Sequence, residues 1–154
     1  MNTVQLDGWV LECDVEATRR AYEMLAAAPR EKCDCLFCRN FEAARATVYP
    51  AEALKFYGQL GVTPSLEVET YERGPAELGG GRLYGGWHHF VGRVVQDPGR
   101  MTKLSSTFEL WFREGRDLAG QLFGNQPLVQ AEFQATVSWV LAERPDDASH
   151  GESK

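Results

Sequence analysis

The spacing of apolar residues along this chain changes at Thr63-Pro64, from a helical period before that point to an alternating period after it. Three segments before it place apolar side chains three and four residues apart, which is the spacing of an amphipathic helix. Asp14 is a good N-cap for the first of them, and Pro50 and Gly61 suit the start and end of the third. A short extended segment that ends near Cys13 comes before the first helix.

After Thr63-Pro64, apolar and polar residues alternate, which is typical of strands with one covered face. We expect strands that begin at Leu66, that cover 83–95 and 104–113, and that end the fold from Val129 onward. The pattern predicts an α+β fold, with three N-terminal helices packed on one face of a largely antiparallel sheet of about four to five strands.

The length of 154 residues suits one domain with a packed core. We expect that single α+β domain to cover 1–142, and the polar segment 143–154 to be a disordered tail. The connection before the last strand is expected to contain a short helix that starts at Asp117, because Leu118 and Leu122 have helical spacing.

Composition restricts the class of partner. The net charge is −6 and basic residues are scattered, which argues against a nucleic-acid partner. We find no apolar run of the length that crosses a membrane and no secretory signal, so we expect no membrane partner and a cytoplasmic protein. Clustered cysteines in that reducing compartment favour metal or redox roles over structural disulfides.

Three cysteines lie within six residues, in the pattern Cys33-x-Cys35-x-x-Cys38. Zinc prefers four ligands in a tetrahedron, and thiolates are among its usual donors. A short loop that runs into a helix can turn all three sulfur atoms inward. We also expect the helix amino terminus to lower the pKa of Cys38. The spacing therefore predicts a zinc site at this loop.

The sequence leaves two candidates for the fourth ligand. Cys13 ends the first strand, twenty residues before Cys33. His89 belongs to the long strand, on the face that we expect to point toward the helices. His88 points to the opposite face, because adjacent strand residues alternate. An ordinary core histidine is the competing interpretation of His89.

Two other interpretations of the cysteines compete with a structural metal. The pair Cys35 and Cys38 forms a C-x-x-C motif at a helix start, which is the arrangement of a reactive thiol pair. Three cysteines without a protein fourth ligand would instead leave an open metal position, as in a catalytic zinc site. Some of the cysteines can also be inert core residues.

The start of the long strand carries a possible ligand site. Arg82, Tyr84, Trp87 and His88 combine aromatic rings with a cation and an imidazole, which suits contacts to a small molecule. Ordinary packing on a sheet face is the alternative. The acidic side chains that precede this strand are interpreted as a solvated edge strand; they are Glu67, Glu69, Glu72 and Glu77.

Two motifs together resemble an uncharacterised family of small bacterial proteins. They are the CxCxxCRNF run of 33–41 and the YGGWxHFVG run of 84–92. The resemblance covers most of the chain, from about Trp9 to Trp139. The family has no assigned reaction, so the resemblance implies no catalytic residue, and it links the three loop cysteines with His89.

These observations support one leading hypothesis. In it, a structural zinc ties the cysteine loop to the body of the fold, and the protein binds a partner or small ligand through its sheet face. The alternative is a thiol-redox or open-site metal enzyme that uses the C-x-C-x-x-C cluster. No catalytic residue is assigned, and the interpretation leans away from an enzyme.

Overall fold

A computed structural model of the chain describes residues 1–77, 80–115, 123 and 125–145. The short helix expected from Asp117 and most of the expected tail, 146–154, lie outside these residues. The boundary between domain and tail therefore stays a prediction.

The described residues form three α-helices and seven strands. In chain order they are β1 (Asn2–Leu6), β2 (Trp9–Cys13), α1 (Val15–Ala27), α2 (Leu36–Ala44), α3 (Ala51–Leu60), β3 (Glu69–Pro75), β4 (Arg82–Gln96), β5 (Thr102–Ser105), β6 (Phe108–Gly115) and β7 (Leu128–Val137). A single 3-10 turn, Arg45–Thr47, follows α2.

All strand pairs are antiparallel, in the order β1-β2-β4-β7-β6-β5, and β3 also pairs with β4. β4 has 15 residues and organises the sheet. Its carboxyl end pairs with β2, its amino end pairs with β3, and β7 runs along its other edge. This length lets one strand pair with three others.

The predicted fold class was wrong in two respects. The sheet has seven strands instead of four to five, and the helices are not N-terminal, because two strands precede them. More described residues lie in strands than in helices. The error arose because each of two hairpins, β1–β2 and β5–β6, was interpreted as one strand.

The first hairpin is marked in the sequence by Asp7-Gly8. Asp7 and Gly8 join β1 to β2 with φ angles of 48° and 92°. Asp-Gly is a preferred pair for a two-residue hairpin turn, because both central residues need positive φ.

The predicted helix ends were confirmed. The Asp14 carboxylate accepts a hydrogen bond from the Ala17 amide at 3.0 Å, and Gly61 ends α3 with a φ of 82°. The Asp14 hydrogen bond satisfies an amide that the start of the helix leaves unpaired. The positive φ of Gly61 is the usual backbone conformation just after a helix ends. Within the described ranges, no helix combines the length and the apolar character that a membrane crossing requires.

Aromatic rings fill the core between the helices and the sheet. Phe41 of α2 lies 5.4 Å from the ring of Tyr84 on β4 and 6.3 Å from the ring of Phe133 on β7. Tyr49, after the 3-10 turn, packs against Phe108 and Phe133. Each such side chain contributes roughly 1.5–3 kcal/mol when buried, so this layer fixes α2 on the sheet.

Candidate metal centre

The three loop cysteines come together in space. Their sulfur atoms all lie within 4.8 Å of one another. A tetrahedral zinc with Zn–S bonds of about 2.3 Å needs sulfur atoms ~3.8 Å apart, which small side-chain rotations can supply. Cys33 and Cys35 are exposed and Cys38 is half-buried. The cluster can therefore hold a metal ion and receive it from solvent.

The start of α2 builds the cluster. Cys35 is the N-cap residue of this helix, and its sulfur accepts a hydrogen bond from the Cys38 amide at 3.5 Å. Arg39 donates to the Asp34 carbonyl at 3.3 Å, which holds the loop against the first helical turn. The spacing of two residues between Cys35 and Cys38 thus places the two sulfurs on the same side of the helix terminus.

The helix terminus acts on a different cysteine from the one that we predicted. The hydrogen bond from the Cys38 amide lowers the pKa of Cys35. Burial, followed by the neighbouring sulfurs of Cys33 and Cys35, raises the pKa of Cys38 to about 12. The expectation of a lowered pKa at Cys38 was wrong. The Cys38 amide donates to the sulfur of the N-cap residue Cys35, whereas the Cys38 sulfur is partly buried beside two other sulfurs.

Cys13 does not belong to the group of neighbouring sulfurs. It lies fully buried at the end of β2, where its thiol donates to the Leu60 carbonyl at 3.4 Å and contacts the Thr18 hydroxyl at 3.9 Å. Burial raises its pKa to about 11, which favours the protonated thiol. In this arrangement Cys13 acts as a core residue between β2, α1 and α3.

His89 also lies outside the cysteine group. It is buried on β4, with Nε2 at 3.2 Å from the Gln130 side-chain oxygen and its ring against Phe123. Its backbone carbonyl accepts a hydrogen bond from the Tyr22 hydroxyl of α1 at 2.7 Å. The structure therefore brings together three of the five predicted metal ligands, and the identity of a fourth stays a prediction.

The four residues predicted for a ligand site do not share an exposed surface. Arg82, Tyr84 and His88 are buried, whereas Trp87 lies on the other face of β4 near Tyr71. Burial lowers the pKa of His88, which favours the neutral form of its ring. Its Nε2 lies 2.8 Å from the Pro64 carbonyl, which identifies Nε2 as the protonated nitrogen.

Two of these four residues support the cysteine cluster instead. The Tyr84 hydroxyl donates to the Phe37 carbonyl at 2.7 Å, and the Arg82 guanidinium lies 5.1 Å from the centre of the Phe37 ring. Phe37 sits in the sequence between Cys35 and Cys38. The strand motif and the cysteine motif therefore meet at the start of α2.

Asn40 joins the same helix to the chain that follows β7. Its side-chain amide donates to the Ser138 carbonyl at 3.1 Å, and its oxygen accepts from the Val140 amide at 2.8 Å. The chain that follows β7 is thus held against α2. The Trp139 ring completes this contact by packing edge-on against Phe37.

A cleft of about 590 Å³ opens beside the cluster. Its lining includes Cys33 and Cys38, together with Arg30, Arg45 and Glu67. This volume is within the range of about 300–1,000 Å³ that is common for small-molecule sites. An ion held by the three sulfurs would border the cleft.

The cleft has a rigid ionic base. Glu67 is 5% exposed and receives both Nε and Nη2 of Arg45, at 3.1 and 2.9 Å. The Tyr49 hydroxyl donates to the same carboxylate at 2.7 Å, and Arg30 donates to the Glu67 carbonyl at 2.7 Å. The interpretation of Glu67 as a solvated edge charge was wrong, because this residue lies before β3 and turns inward beneath the cleft.

Sequence reasoning missed Arg30, Arg45 and Glu67 as residues of this site. No local motif marks them, since they come from three separate segments of the chain. They meet because α2 packs on the sheet and the segment before β3 passes beneath it.

Comparison of the chain with family models, with curated proteins and with solved structures finds no match. The resemblance drawn from the two motifs therefore stays a prediction, and the function has to be inferred from the geometry of the site.

Proposed function

We propose that this protein binds a zinc ion through the thiolates of Cys33, Cys35 and Cys38 and presents the ion to a ligand in the adjacent cleft. The observation that carries the proposal is the convergence of three sulfurs, two of which line the cleft. Thiolates select soft ions, and three protein ligands leave a fourth zinc position open. Because this chemistry needs reduced thiols, the proposal assigns the protein to the cytoplasm.

We favour an open site over a structural one because the three ligands come from six consecutive residues. A metal stabilises a fold most when it joins distant segments, since it then closes a long loop of the unfolded chain. Here the ion would order one short loop. Cys13 and His89, which could join that loop to the sheet, have other buried contacts.

The cleft is also a better ligand site than a sheet face. Arg82, Tyr84 and His88 are buried against the helices, so they have no surface to offer a ligand. The cleft combines free volume, charged side chains and the proposed metal position. The resulting function is binding of a small ligand at an open zinc site.

The test is elemental analysis of protein purified without a histidine tag, with reactive thiols counted before and after chelation. We expect about one zinc per chain and three additional reactive thiols after chelation. Cys35→Ser should lose most of the metal, whereas Cys13→Ala should retain it. Protein that contains no metal after zinc has been supplied, with the loop thiols reactive throughout, would reject the proposal.

Thermal unfolding separates the open site from a structural one. An open site that orders one short loop adds little to the stability of the fold. Chelation should therefore lower Tm by less than about 2 °C, which is a loss of less than about 1 kcal/mol, since 1 kcal/mol corresponds to about 2–4 °C in a chain of this size. A fall of more than about 10 °C would favour the structural zinc and reject the open site.

A thiol–disulfide exchange protein is the second candidate, and the pKa values of the loop favour it. The pKa of Cys35 is lowered while that of Cys38 is raised, which suits an attacking thiolate beside a resolving thiol. In that reaction Cys35 and Cys38 would form a disulfide while a substrate disulfide is reduced to two thiols. Fast alkylation of Cys35 alone, in protein that takes up no zinc, would favour this candidate.

A further inference from the structure

We infer that the cleft takes a small thiol that also carries a carboxylate, with its sulfur on the open metal position and its carboxylate on Arg30. This inference rests on the proposed function and names the chemical class of the ligand. It is carried by the cleft lining, by the charges in that lining and by the position of the cysteine sulfurs.

The sulfur half of the inference follows from the metal ligands. Cys33 and Cys38 line the cleft, so an ion held between the loop sulfurs would border it and could take a further ligand from it. An ion that prefers thiolates is well matched by a fourth soft donor. On binding, the ligand thiol would lose its proton to solvent, and its sulfur would take the open metal position in place of a water.

The carboxylate half follows from the basic side chains of the lining. Lys32 is paired with Glu42 at 3.0 Å, and Arg45 is paired with both oxygens of Glu67. Among the described residues, Arg30 has no carboxylate within ion-pair distance. Its guanidinium instead donates to the Glu67 carbonyl at 2.7 Å, a bond that needs one of its five N–H groups.

The anchoring of Arg30 matters for its role. The Glu67 carbonyl belongs to the rigid base of the cleft, because the Glu67 side chain is fixed by Arg45 and Tyr49. A guanidinium positioned in this way loses less conformational freedom when it binds a carboxylate than a mobile lysine would. Arg30 is therefore the basic side chain of the cleft that is both positioned and available.

Apolar side chains supply the rest of the binding surface. Leu25, Phe41 and Leu66 line the cleft between the charged groups, and they suit the carbon skeleton of a small ligand. Exposed Glu31 and Glu69 also belong to the lining. Of two thiol carboxylates, we therefore expect the one with an additional ammonium group to bind more tightly.

Three matched compounds test the inference on the full chain loaded with cobalt(II) in place of zinc. They are 3-mercaptopropionate, 3-mercapto-1-propanol, which lacks the carboxylate, and 3-(methylthio)propionate, which lacks the thiol. Binding is followed by the visible absorption of the cobalt, and metal content is measured in every sample. We expect the mercaptopropionate to bind roughly tenfold more tightly than the alcohol, and the thioether to leave the cobalt spectrum unchanged.

Arg30→Gln should remove the preference for the acid over the alcohol, while Arg20→Gln, which changes an exposed arginine of α1 outside the cleft lining, should keep it. The cobalt spectrum of ligand-free Arg30→Gln should match that of the unmodified protein, which shows that the metal site has not changed.

The outcomes distinguish a failure of the inference about the ligand from a failure of the proposed metal site. A chain that takes up no cobalt and no zinc overturns both. A metal-loaded chain that binds the alcohol as tightly as the acid, or an Arg30→Gln protein that keeps the preference, overturns the inference and leaves the metal site standing. Binding of the thioether as tightly as the thiol does the same.

Discussion

Cys13 and the three loop cysteines are the same residue type in opposite environments. Cys13 is enclosed by β2, α1 and α3, and burial raises its pKa to about 11. Cys35 is exposed at a helix terminus, and a backbone amide lowers its pKa. The comparison shows that the position in the fold, and not the residue type, decides whether burial raises the pKa of a thiol or a backbone amide lowers it.

The same contrast separates two glutamates of the cleft lining. Glu67 is buried and accepts hydrogen bonds from Arg45 and Tyr49, whereas Glu69, two residues later, is exposed. The buried framework beneath the cleft carries stability, and the exposed loop beside it carries the proposed chemistry. Substitutions should therefore have separable effects in the two regions.

The largest effect is expected at Glu67. Glu67→Ala leaves the Arg45 guanidinium and the Tyr49 hydroxyl without their carboxylate, and breaking a buried pair in this way costs about 3–5 kcal/mol. Arg45 is 28% exposed, so we expect a loss of about 2–3 kcal/mol after allowing for its hydration. Urea unfolding measures the loss.

Glu69→Ala is the matched control for that measurement. It removes an exposed carboxylate from the same segment and should change the free energy of unfolding by less than about 0.5 kcal/mol. Equal losses in the two variants would contradict the division between framework and loop.

Cys13 should make the stability of the fold depend on pH in the alkaline range. Its pKa is raised from 9.0 to about 11 on folding, so the stability that it contributes is present below pH 9 and is lost as the pH rises through 11. By pH 10 the loss amounts to about 1.4 kcal/mol.

Urea unfolding of the unmodified protein and of Cys13→Ala, at pH 8 and at pH 10, measures the loss of stability that is due to Cys13. The buried tyrosines Tyr22 and Tyr57 also have raised pKa values, but they contribute equally in both proteins. The variant should start less stable at pH 8 and lose less on going to pH 10. Identical losses in the two proteins would show that Cys13 is not buried as described.

A smaller effect is expected where the two regions meet. Tyr84→Phe removes the hydrogen bond to the Phe37 carbonyl and should cost about 1 kcal/mol. Because that bond supports the first turn of α2, we also expect zinc affinity to fall about tenfold, as it does when groups behind metal ligands are changed.

Tyr71→Phe is the control for this variant, since Tyr71 is 40% exposed on β3. Zinc affinity is measured by competition with a chelator of known affinity, and stability by urea unfolding. A Tyr84→Phe protein with unchanged zinc affinity would mean that the strand does not support the cluster.

Local signals in the sequence were enough to locate the three helices of the described residues. Asp14 and Gly61 act as predicted because capping depends on neighbours within four residues. The convergence of the loop cysteines was predictable for the same reason, since the three sulfurs come from one turn of chain. The number of strands was not, because hairpins such as β5–β6 were hidden inside what looked like single alternating runs.

The faces of β4 were also assigned incorrectly from the sequence. We expected His89 to point toward the helices, but the His88 ring packs against Tyr57 of α3 and against Tyr49. Both histidines are buried, so alternation of apolar residues could not tell the two faces apart.

What the sequence determined by itself was the set of contacts that are close along the chain: the helix caps, the cysteine loop and the start of α2. Only the tertiary structure decided that Cys13 and His89 lie apart from the cysteine group, that Glu67 turns inward, and that Arg30 meets two cysteine side chains in one cleft. The physical reason is that these positions depend on which face of a strand is covered and on which segments pack together. Both are properties of the whole chain, and no short stretch of it contains them.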